Sequence, residues 1–196
     1  MAIRKKILLA TKNRGKLVEI RAILGTDHFE FIPVDTIRMF PEIPETGTTF
    51  TENAIIKAKE SFKLTGIPAL ADDSGLWVDC LEGRPGVYSA RYAGEDASDD
   101  ENTDKVLAEI AEFPPPYTAK YVCVLAYYDG KSVITTEGEC SGEIILEKRG
   151  TNGFGYDPVF KPTGYDETMA ELNPETKNKL SHRFKAIEKM KEALTK

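Results

Sequence analysis

Hydrophobic positions near the start of the chain predict a strand, a turn and a helix. Lys6–Ala10 is a short apolar run of the kind that forms a buried strand, and it stops at a polar turn. Beyond the turn, apolar residues recur at helical spacing until Gly25 ends the pattern: Leu17, Ile20, Ile23 and Leu24. Phe29–Val34 then predicts a second strand, and the proline-containing segment Thr36–Gly47 predicts a loop.

A second helix is indicated by the residues at its start. Thr49, with a glutamate three positions later, has the capping-box pattern, so a helix is expected over residues 52–64. Ala69–Ala71 predicts a brief strand that runs into the polar stretch Asp72–Gly75. Whether Leu76–Leu81 forms a further strand stays open.

The second half of the chain predicts a hairpin and a helical C-terminus. Tyr117–Tyr128 alternates and is rich in β-branched and aromatic residues, and Ser132–Glu139 is its partner strand after an Asp-Gly turn. Asn173, followed by proline, marks the start of a C-terminal helical region in one or two pieces. The order of elements indicates an α/β protein with a mixed central β-sheet flanked by helices. We expect one domain over residues 1–196, with the proline run at 114–116 as the best candidate for a lobe junction.

The composition is that of a folded protein. Of 196 residues, 41% are hydrophobic and 30% are charged. Acidic residues exceed basic ones by 32 to 26, and this net charge of −6 disfavours a nucleic-acid partner, which needs a basic face. Three cysteines without CxxC spacing and two histidines argue against a disulfide framework and a zinc cage. The apolar stretch Ile7–Ala10 is too short for a signal peptide or a membrane span, so we expect a cytoplasmic protein without a membrane partner.

The turn between the first strand and the first helix has the character of a phosphate site. Amides at a helix N-terminus are unpaired donors at the positive end of the helix dipole. Side chains of the turn add further donors and charge, and the candidate ligands are Thr11, Lys12, Asn13, Arg14, Gly15 and Lys16. The alternative, that Asn13 only caps the helix and Lys16 is solvated, stays open.

Two groups of acidic residues are candidate magnesium ligands. Asp72 and Asp73 follow an apolar strand, where ligands of α/β proteins gather, and one of the two is expected to face the site. A carboxylate there can bind Mg²⁺ or act as a general base on water. Glu42 and Glu45 could complete the metal site. The alternatives are a plain turn for the aspartates and surface positions for the glutamates.

Three further stretches add candidate nucleotide contacts. Lys57 lies among apolar residues of the second helix and could reach a phosphate, although a stem that extends to water is the alternative. Residues 153–158, with the sequence GFGYDP, combine glycines that allow close approach with two aromatic rings that can stack on a base. The basic segment around Lys177, His182 and Arg183 supplies donors for phosphate or a carbonyl. An inward-packed turn and a solvated helix are the respective alternatives.

Together these features form a set that could hydrolyse a nucleoside triphosphate. A metal and lysines would neutralise phosphate charge, a carboxylate would activate water, and aromatic rings would hold the base. The chain also resembles the noncanonical purine nucleoside triphosphate pyrophosphatases, the inosine triphosphatase-like enzymes. The matching stretches span almost the whole chain in the order of that family: LLATKNRGKLVEI, ETGTTFTENAIIKAK, ALADDSGLWVD, PGVYSARYAGEDA, GTNGFGYDPVF and KNKLSHR.

The resemblance implies a reaction and an architecture. The reaction would convert a nucleoside triphosphate and water to the monophosphate and pyrophosphate with Mg²⁺. ITP, dITP and XTP would be the preferred substrates, which removes deaminated purines from the nucleotide pool. The resemblance also implies an elongated fold of two lobes around a central cleft, and a homodimer.

The resemblance further implies roles for individual residues. Asp73 would be the catalytic acceptor and a metal ligand, and Glu45 is favoured over Glu42 as the second ligand. The implied phosphate and substrate contacts are Thr11, Asn13, Lys16, Lys57 and Ser74. The base pocket would be lined by Phe154, Gly155, Tyr156 and Asp157 and closed by Lys177, His182 and Arg183. Many relatives have glycine where this chain has Lys12, and a positive φ there would be unfavourable for lysine.

The candidate base-pocket residues suggest how the protein would distinguish purine bases, and two other functions compete with this interpretation. A donor from Arg183, or from protonated His182, would favour a 6-oxo purine over adenine, which presents an amino group at that position. One rival is a pyrophosphatase of different base specificity, such as the Maf-like group, which the FGYDP and SHR motifs disfavour. A catalytically idle nucleotide-binding sensor is the other, and it would need no general base such as Asp73.

Overall fold

The computed structural model describes residues 4–195. Residues 1–3 and 196, which the predicted domain includes, lie outside the described part. Within that part the strands are β1 (Lys5–Leu9), β2 (Phe29–Pro33), β3 (Ala69–Val78), β4 (Tyr117–Tyr128), β5 (Val133–Ile144) and β6 (Phe160–Pro162). The α-helices are α1 (Arg14–Leu24), α2 (Phe50–Thr65), α3 (Asp99–Ile110), α4 (Pro174–Leu180) and α5 (His182–Thr195).

The strands form one mixed sheet in the order β2-β1-β3-β4-β5-β6. Strand β1 runs parallel to both β2 and β3, whereas β5 and β6 are antiparallel. The parallel strands are joined through α1 and α2, as connections between parallel strands require. The predicted α/β class and mixed sheet with helices are confirmed. No helix in residues 4–195 is long and apolar enough to cross a membrane.

The chain forms two compact units, each with its own apolar core. The first unit holds the described residues up to Asp73, residues 123–138 and those from Arg183 onward. Its core joins β1, α1, the end of β4 and α5. The second unit holds residues 74–122 and 139–182, and its core is built on β3, α3, β4 and the segment around β6. The proline run at 114–116 lies inside this second unit. The predicted single two-lobed domain and its central cleft stay predictions.

Local signals located several elements correctly. Strand β4 has the predicted bounds, and α2 begins with the predicted capping box at Thr49. Asn173 caps α4, whose first residue is a proline, and the C-terminal helical region is divided into α4 and α5. In each case the signal is contained in a few adjacent residues, so it does not depend on the rest of the fold.

One expectation about strands needs correction. Asp72–Gly75 does not form a break, because β3 runs without interruption from Ala69 to Val78. Pairing of β3 with β1 ends at Leu70, so the neighbour that continues beside this stretch in the sheet order is β4, and strand pairing overrides the local preference for a turn. The sequence also indicated that Gly142–Leu146 could continue the sheet, and β5 does run on to Ile144. The short edge strand β6 was not predicted.

Candidate active site

The turn before α1 forms a helix N-terminus with cationic side chains. The Oδ1 atom of Asn13 accepts the Lys16 backbone N–H at 3.1 Å, and the Thr11 hydroxyl accepts the Asn13 N–H at 3.2 Å. Asn13 therefore caps the helix, and the first turn of α1 contains no acidic residue. Lys12, Arg14 and Gly15 are exposed, as is Asn13 itself. Such a turn offers backbone amides and positive charge to an anion.

Lys12 fits this turn without backbone strain. Among residues 4–195, the non-glycine residues with positive φ are Met39 and Glu82. Lysine at position 12 therefore meets no penalty from a left-handed backbone conformation, and its side chain is exposed.

The two aspartates of β3 have different partners, as alternation along a strand predicts. Asp72 is buried, and its Oδ2 atom lies 2.6 Å from Lys16 Nζ. Burial acts to raise the pKa of Asp72, but the positive charges of Lys16, Lys57 and Arg183 outweigh it. The pKa of Asp72 therefore lies below its ordinary value, and this carboxylate is the fixed counter-charge of Lys16.

Asp73 shares a cation with Glu45. The Nζ atom of Lys57 lies 2.7 Å from Glu45 Oε1 and 3.3 Å from Asp73 Oδ1. Burial raises the pKa of Asp73, Lys57 acts against this, and the nearby charge of Glu45 raises it further. Burial would lower the pKa of Lys57, but Asp73, Asp72 and Glu45 outweigh burial and raise it. Lys57 therefore stays an ammonium ion between two carboxylates.

The donor atoms of Glu45 and Asp73 suit magnesium. Both are hard carboxylate oxygens, and both converge on a single cationic atom in this structure, the Lys57 ammonium. Mg²⁺ in nucleotide enzymes is commonly held by one or two carboxylates together with waters and phosphate oxygens. Within residues 4–195, no group of three or more His, Cys, Asp or Glu side chains forms a larger metal site. Glu42 is exposed, so the geometry favours Glu45 of the two glutamates.

Arg183 belongs to the first unit and is held by α1. Its Nη1 atom donates to Glu19 Oε2 at 2.8 Å, and the residue is only 5% exposed. Burial would lower the pKa of Arg183, but Glu19 and Asp72 outweigh it. The guanidinium is therefore a buried cation with a fixed orientation, and it is one of the positive charges that act on Asp72.

The second unit contains the loop 153–157, organised around Asp157. The Oδ2 atom of Asp157 accepts from Lys177 Nζ at 2.6 Å and from the Phe154 N–H at 3.0 Å. Its Oδ1 atom accepts from the Tyr121 hydroxyl at 3.2 Å. Asp99 of α3 accepts the Gly155 N–H at 2.7 Å. Two carboxylates thus fix the backbone of this loop.

The two aromatic rings of this loop point to different surroundings. Phe154 is 57% exposed, and Lys177 Nζ lies 5.9 Å from the centre of its ring. Tyr156 is buried in the core of the second unit, where its hydroxyl donates to the Ser89 carbonyl at 2.7 Å. Of the two rings expected to stack on a base, Phe154 is the exposed one, and Tyr156 packs inward.

His182 and Ser74 are the remaining predicted residues of the second unit. The His182 ring stacks on Tyr121 at 5.0 Å between centroids and 14° between planes. Burial, together with Asp157, raises the pKa of Tyr121 well above its ordinary value, so its hydroxyl stays protonated and donates to Asp157. Ser74 is half-buried on β3, directly after Asp73.

Four residues that hold these groups were not predicted from the sequence: Glu19, Asn53, Asp99 and Tyr121. Asn53 had a signal, because it is a polar residue on the buried face of α2, next to Ala54 and Ala58. Glu19 and Asp99 had none, since their partners lie 164 and 56 positions away in the chain.

The chain is similar to proteins of known family over almost its whole length. The family model described as the Ham1 family matches residues 7–193. A dITP/XTP pyrophosphatase of Oceanobacillus iheyensis is 46% identical over 193 residues, which are 97% of this chain and 98% of the relative.

Solved structures agree with this assignment. A HAM1 protein from Coxiella burnetii has a TM-score of 0.93 at 44% identity, covering 97% of this chain and 98% of that one. The Staphylococcus aureus Ham1 protein has a TM-score of 0.91 at 39% identity, with the same coverage. The extent of the match and its agreement with the six motifs show that the chain belongs to the Ham1 family.

Proposed function

We propose that this protein hydrolyses deaminated purine nucleoside triphosphates, namely ITP, dITP and XTP, to the monophosphate and pyrophosphate. The observation that carries the proposal is the convergence of Glu45 and Asp73 on one cationic atom. It is supported by the relative named dITP/XTP pyrophosphatase, which matches over 97% of this chain. A reaction of this kind would keep deaminated purines out of nucleic acid synthesis.

The proposed mechanism assigns the general base to Asp73. Glu45 and Asp73 would hold magnesium, which supplies neutralising charge to phosphate oxygens when it is bound. Asp73 would orient a water and accept its proton as the water oxygen bonds to the α-phosphorus. The bond to the bridging oxygen breaks, and its electron pair leaves with pyrophosphate. A pKa raised by burial makes Asp73 a stronger proton acceptor than an exposed aspartate.

The remaining residues of the first unit are proposed to balance phosphate charge. Thr11, Asn13 and the first amides of α1 would donate to phosphate oxygens, and Lys16 and Lys57 would contribute positive charge. Asp72 would keep the Lys16 ammonium in place. These groups favour pyrophosphate as the leaving group, because charge on its oxygens increases as the bond breaks.

The residues of the second unit are proposed to recognise the base. Phe154 offers an exposed ring for stacking, and Lys177 is held next to it by Asp157. His182 would donate to the 6-oxo group of hypoxanthine or xanthine, and the family resemblance implies Arg183, which belongs to the first unit, as a further donor. Adenine would instead face these donors with its amino group, and an unpaired donor costs about 1–3 kcal/mol.

The direct test is product analysis. The pure protein would be incubated with ITP, XTP, GTP and ATP, with and without Mg²⁺, and nucleotides and phosphates would be resolved together. We expect IMP and pyrophosphate from ITP only with Mg²⁺, with little product from ATP or GTP. IDP and orthophosphate would show attack on the γ-phosphorus and refute the proposed reaction. Binding of all four nucleotides without turnover would indicate a sensor.

Asp73→Asn provides the matching test of mechanism. The amide cannot accept the proton of the attacking water, so we expect kcat for ITP to fall by about 10³-fold or more. Nucleotide binding, measured by calorimetry, should be largely retained because the proposed contacts of Thr11, Asn13 and Lys16 with phosphate and the contacts with the base do not involve Asp73. A variant with near-normal kcat would remove Asp73 from the role of general base.

Assembly and compartment belong to the proposal as well. We infer a homodimer in the cytoplasm, supported by the family resemblance. Sedimentation equilibrium should give the mass of two chains, and the mass of one chain would contradict the dimer.

A further inference from the structure

Asn53 connects the two carboxylates that converge on Lys57. It lies in α2 and is fully buried. Its Nδ2 atom donates to Asp73 Oδ2 at 3.2 Å, on the oxygen that does not face Lys57. Its Oδ1 atom accepts the Gly47 N–H at 2.8 Å, two residues after Glu45. One amide side chain therefore links β3 to the loop that carries Glu45.

We propose that Asn53 is a positioning residue that holds Asp73 and Glu45 in register, so that both carboxylates point at one divalent cation. This inference rests on the proposed function for the reaction that the register serves. By occupying Oδ2, the amide of Asn53 directs Oδ1 of Asp73 toward the shared cation. By holding the Gly47 amide, it fixes the distance between the Glu45 loop and β3. Outer hydrogen bonds of this kind orient metal ligands in many sites.

The other capping-box helix shows what is special about Asn53. Helix α3 also begins with a capping box, at Ser98, and has an asparagine at the same position of the helix, Asn102. Asn102 is 2% exposed, and its Oδ1 also accepts an N–H of the preceding loop, that of Ala93, at 2.7 Å. Its Nδ2, however, donates to a backbone carbonyl, that of Ala90, at 3.2 Å. The loop contact is thus common to both helices, and the bond to a carboxylate is particular to Asn53.

Gly47 is adapted to this contact. A Cβ atom at position 47 would lie 2.6 Å from Glu52 Cβ and 2.8 Å from Asn53 Oδ1, closer than side-chain atoms approach. Only glycine lets the backbone come near enough for the N–H to reach Asn53. Gly47→Ala should therefore push the Glu45 loop away from Asn53 and break the bond between the two.

The experiment compares Asn53→Ala, Gly47→Ala and Asn102→Ala in the full chain. Asn102→Ala is the matched control, since it also removes a buried asparagine that ties a helix to its preceding loop. Three quantities are measured: kcat and KM for ITP with Mg²⁺, the Kd for Mn²⁺ from electron paramagnetic resonance without nucleotide, and Tm. Mn²⁺ serves as the probe for the cation site.

We expect Asn53→Ala to lower kcat and to raise the Mn²⁺ Kd by roughly 10- to 100-fold, with KM for ITP little changed. Gly47→Ala should raise the Mn²⁺ Kd as well. Asn102→Ala should lower Tm as Asn53→Ala does but keep kcat and the Mn²⁺ Kd of the wild type.

Two results would overturn the inference. Asn53→Ala could keep the kcat and Mn²⁺ Kd of the wild type, or Asn102→Ala could reduce both as strongly, which would make the role purely structural. The proposed function fails separately. If the wild type bound Mn²⁺ but left ITP intact, and Asn53→Ala lost that binding, the positioning role would stand without the proposed reaction.

Discussion

Asp72 and Asp73 are adjacent residues whose pKa values are shifted in opposite directions. Both are buried, but Asp72 is surrounded by the positive charges of Lys16, Lys57 and Arg183, whereas Asp73 also faces the negative charge of Glu45. Neighbouring side chains of a strand point to opposite faces, which is why adjacent carboxylates meet different partners. The difference fits Asp72 as the partner of the Lys16 ammonium and Asp73 as the proposed general base.

These shifts predict opposite effects on thermal stability. The pKa of Asp72 is lowered in the folded state, so its contribution to stability is present at pH 7 and is lost as pH falls below about 4 and through the folded pKa. Asp72→Asn should therefore lower the free energy of unfolding at pH 7, by about 3 kcal/mol, with the difference disappearing in acid.

The pKa of Asp73 is raised, so its ionised form costs stability above about pH 4. Asp73→Asn should leave Tm unchanged or raise it.

Calorimetric Tm values of the wild type and both variants between pH 3 and pH 7, without divalent cations, test this prediction. Equal losses of Tm in the two variants at pH 7 would contradict it. Asp72→Asn with a constant deficit down to pH 3 would show that its effect does not come from ionisation.

Arg183 is the residue on which purine selectivity is predicted to depend. Its guanidinium is buried and held in one orientation by Glu19. An N–H donor fixed in this way would discriminate between an acceptor and a donor on the base that it faces. We expect Arg183→Ala to reduce the ratio of kcat/KM for ITP to that for ATP by about 10- to 100-fold. Lys189→Ala, which removes an exposed charge from the same helix, is the control. An unchanged ratio in Arg183→Ala would refute the assignment.

Among the structural elements, the loop 153–157 shows how a backbone conformation prepares a site. Gly153 has φ +89°, and a Cβ atom there would collide with Asp157 Oδ2 and Lys177 Nζ. The glycine thus permits both a left-handed backbone and the close approach of the ion pair that lies beside Phe154. Any other residue would adopt this conformation only with strain, and its side chain would displace the ends of Asp157 and Lys177.

Gly153→Ala is expected to reduce kcat/KM for ITP by about 10- to 100-fold, because it displaces the groups proposed to hold the base. Gly164→Ala is a matched control in the same unit. Gly164 has φ +88°, and a Cβ atom there would meet open space. Both variants should lose similar stability from backbone strain, and Gly164→Ala should keep its kcat/KM. An equal loss of kcat/KM in the two variants would mean that strain alone, and not the collision, affects activity.

For the molecule as a whole, net charge is a poor guide to where ligands bind. The chain carries a net charge of −6, yet the first unit brings Lys16, Lys57 and Arg183 around two buried aspartates. Local cations next to a helix N-terminus can bind an anionic ligand even in an acidic protein, because these groups act over a few ångströms. That the overall charge disfavours a nucleic-acid partner stays a prediction.

Nucleotide binding should stabilise the whole protein. With Asp73→Asn, which removes turnover, ITP and Mg²⁺ at 100 times the Kd should add about 2.7 kcal/mol to the free energy of unfolding. Differential scanning fluorimetry should show a rise in Tm with ITP that exceeds the rise with ATP at equal concentration. Equal shifts with the two nucleotides would contradict selectivity at the level of binding.

The sequence by itself determined those elements whose signals are local. The capping box at Thr49, the alternation of β4 and the Asn-Pro start of α4 each depend on a few adjacent residues, and all three were correctly located. The residue types of the candidate site were also visible, because phosphate and metal chemistry require amides, lysines and carboxylates. The six ordered motifs identified the family before any contact was known.

Tertiary structure decided which of these residues meet. The bond between Lys16 and Asp72 joins residues 56 positions apart, and that between Glu19 and Arg183 spans 164 positions. It also kept β3 extended through Asp72–Gly75 against a local preference for a turn. These outcomes depend on strand pairing and burial, in which contacts between residues distant in sequence outweigh local conformational preferences. Such contacts form only when the chain folds.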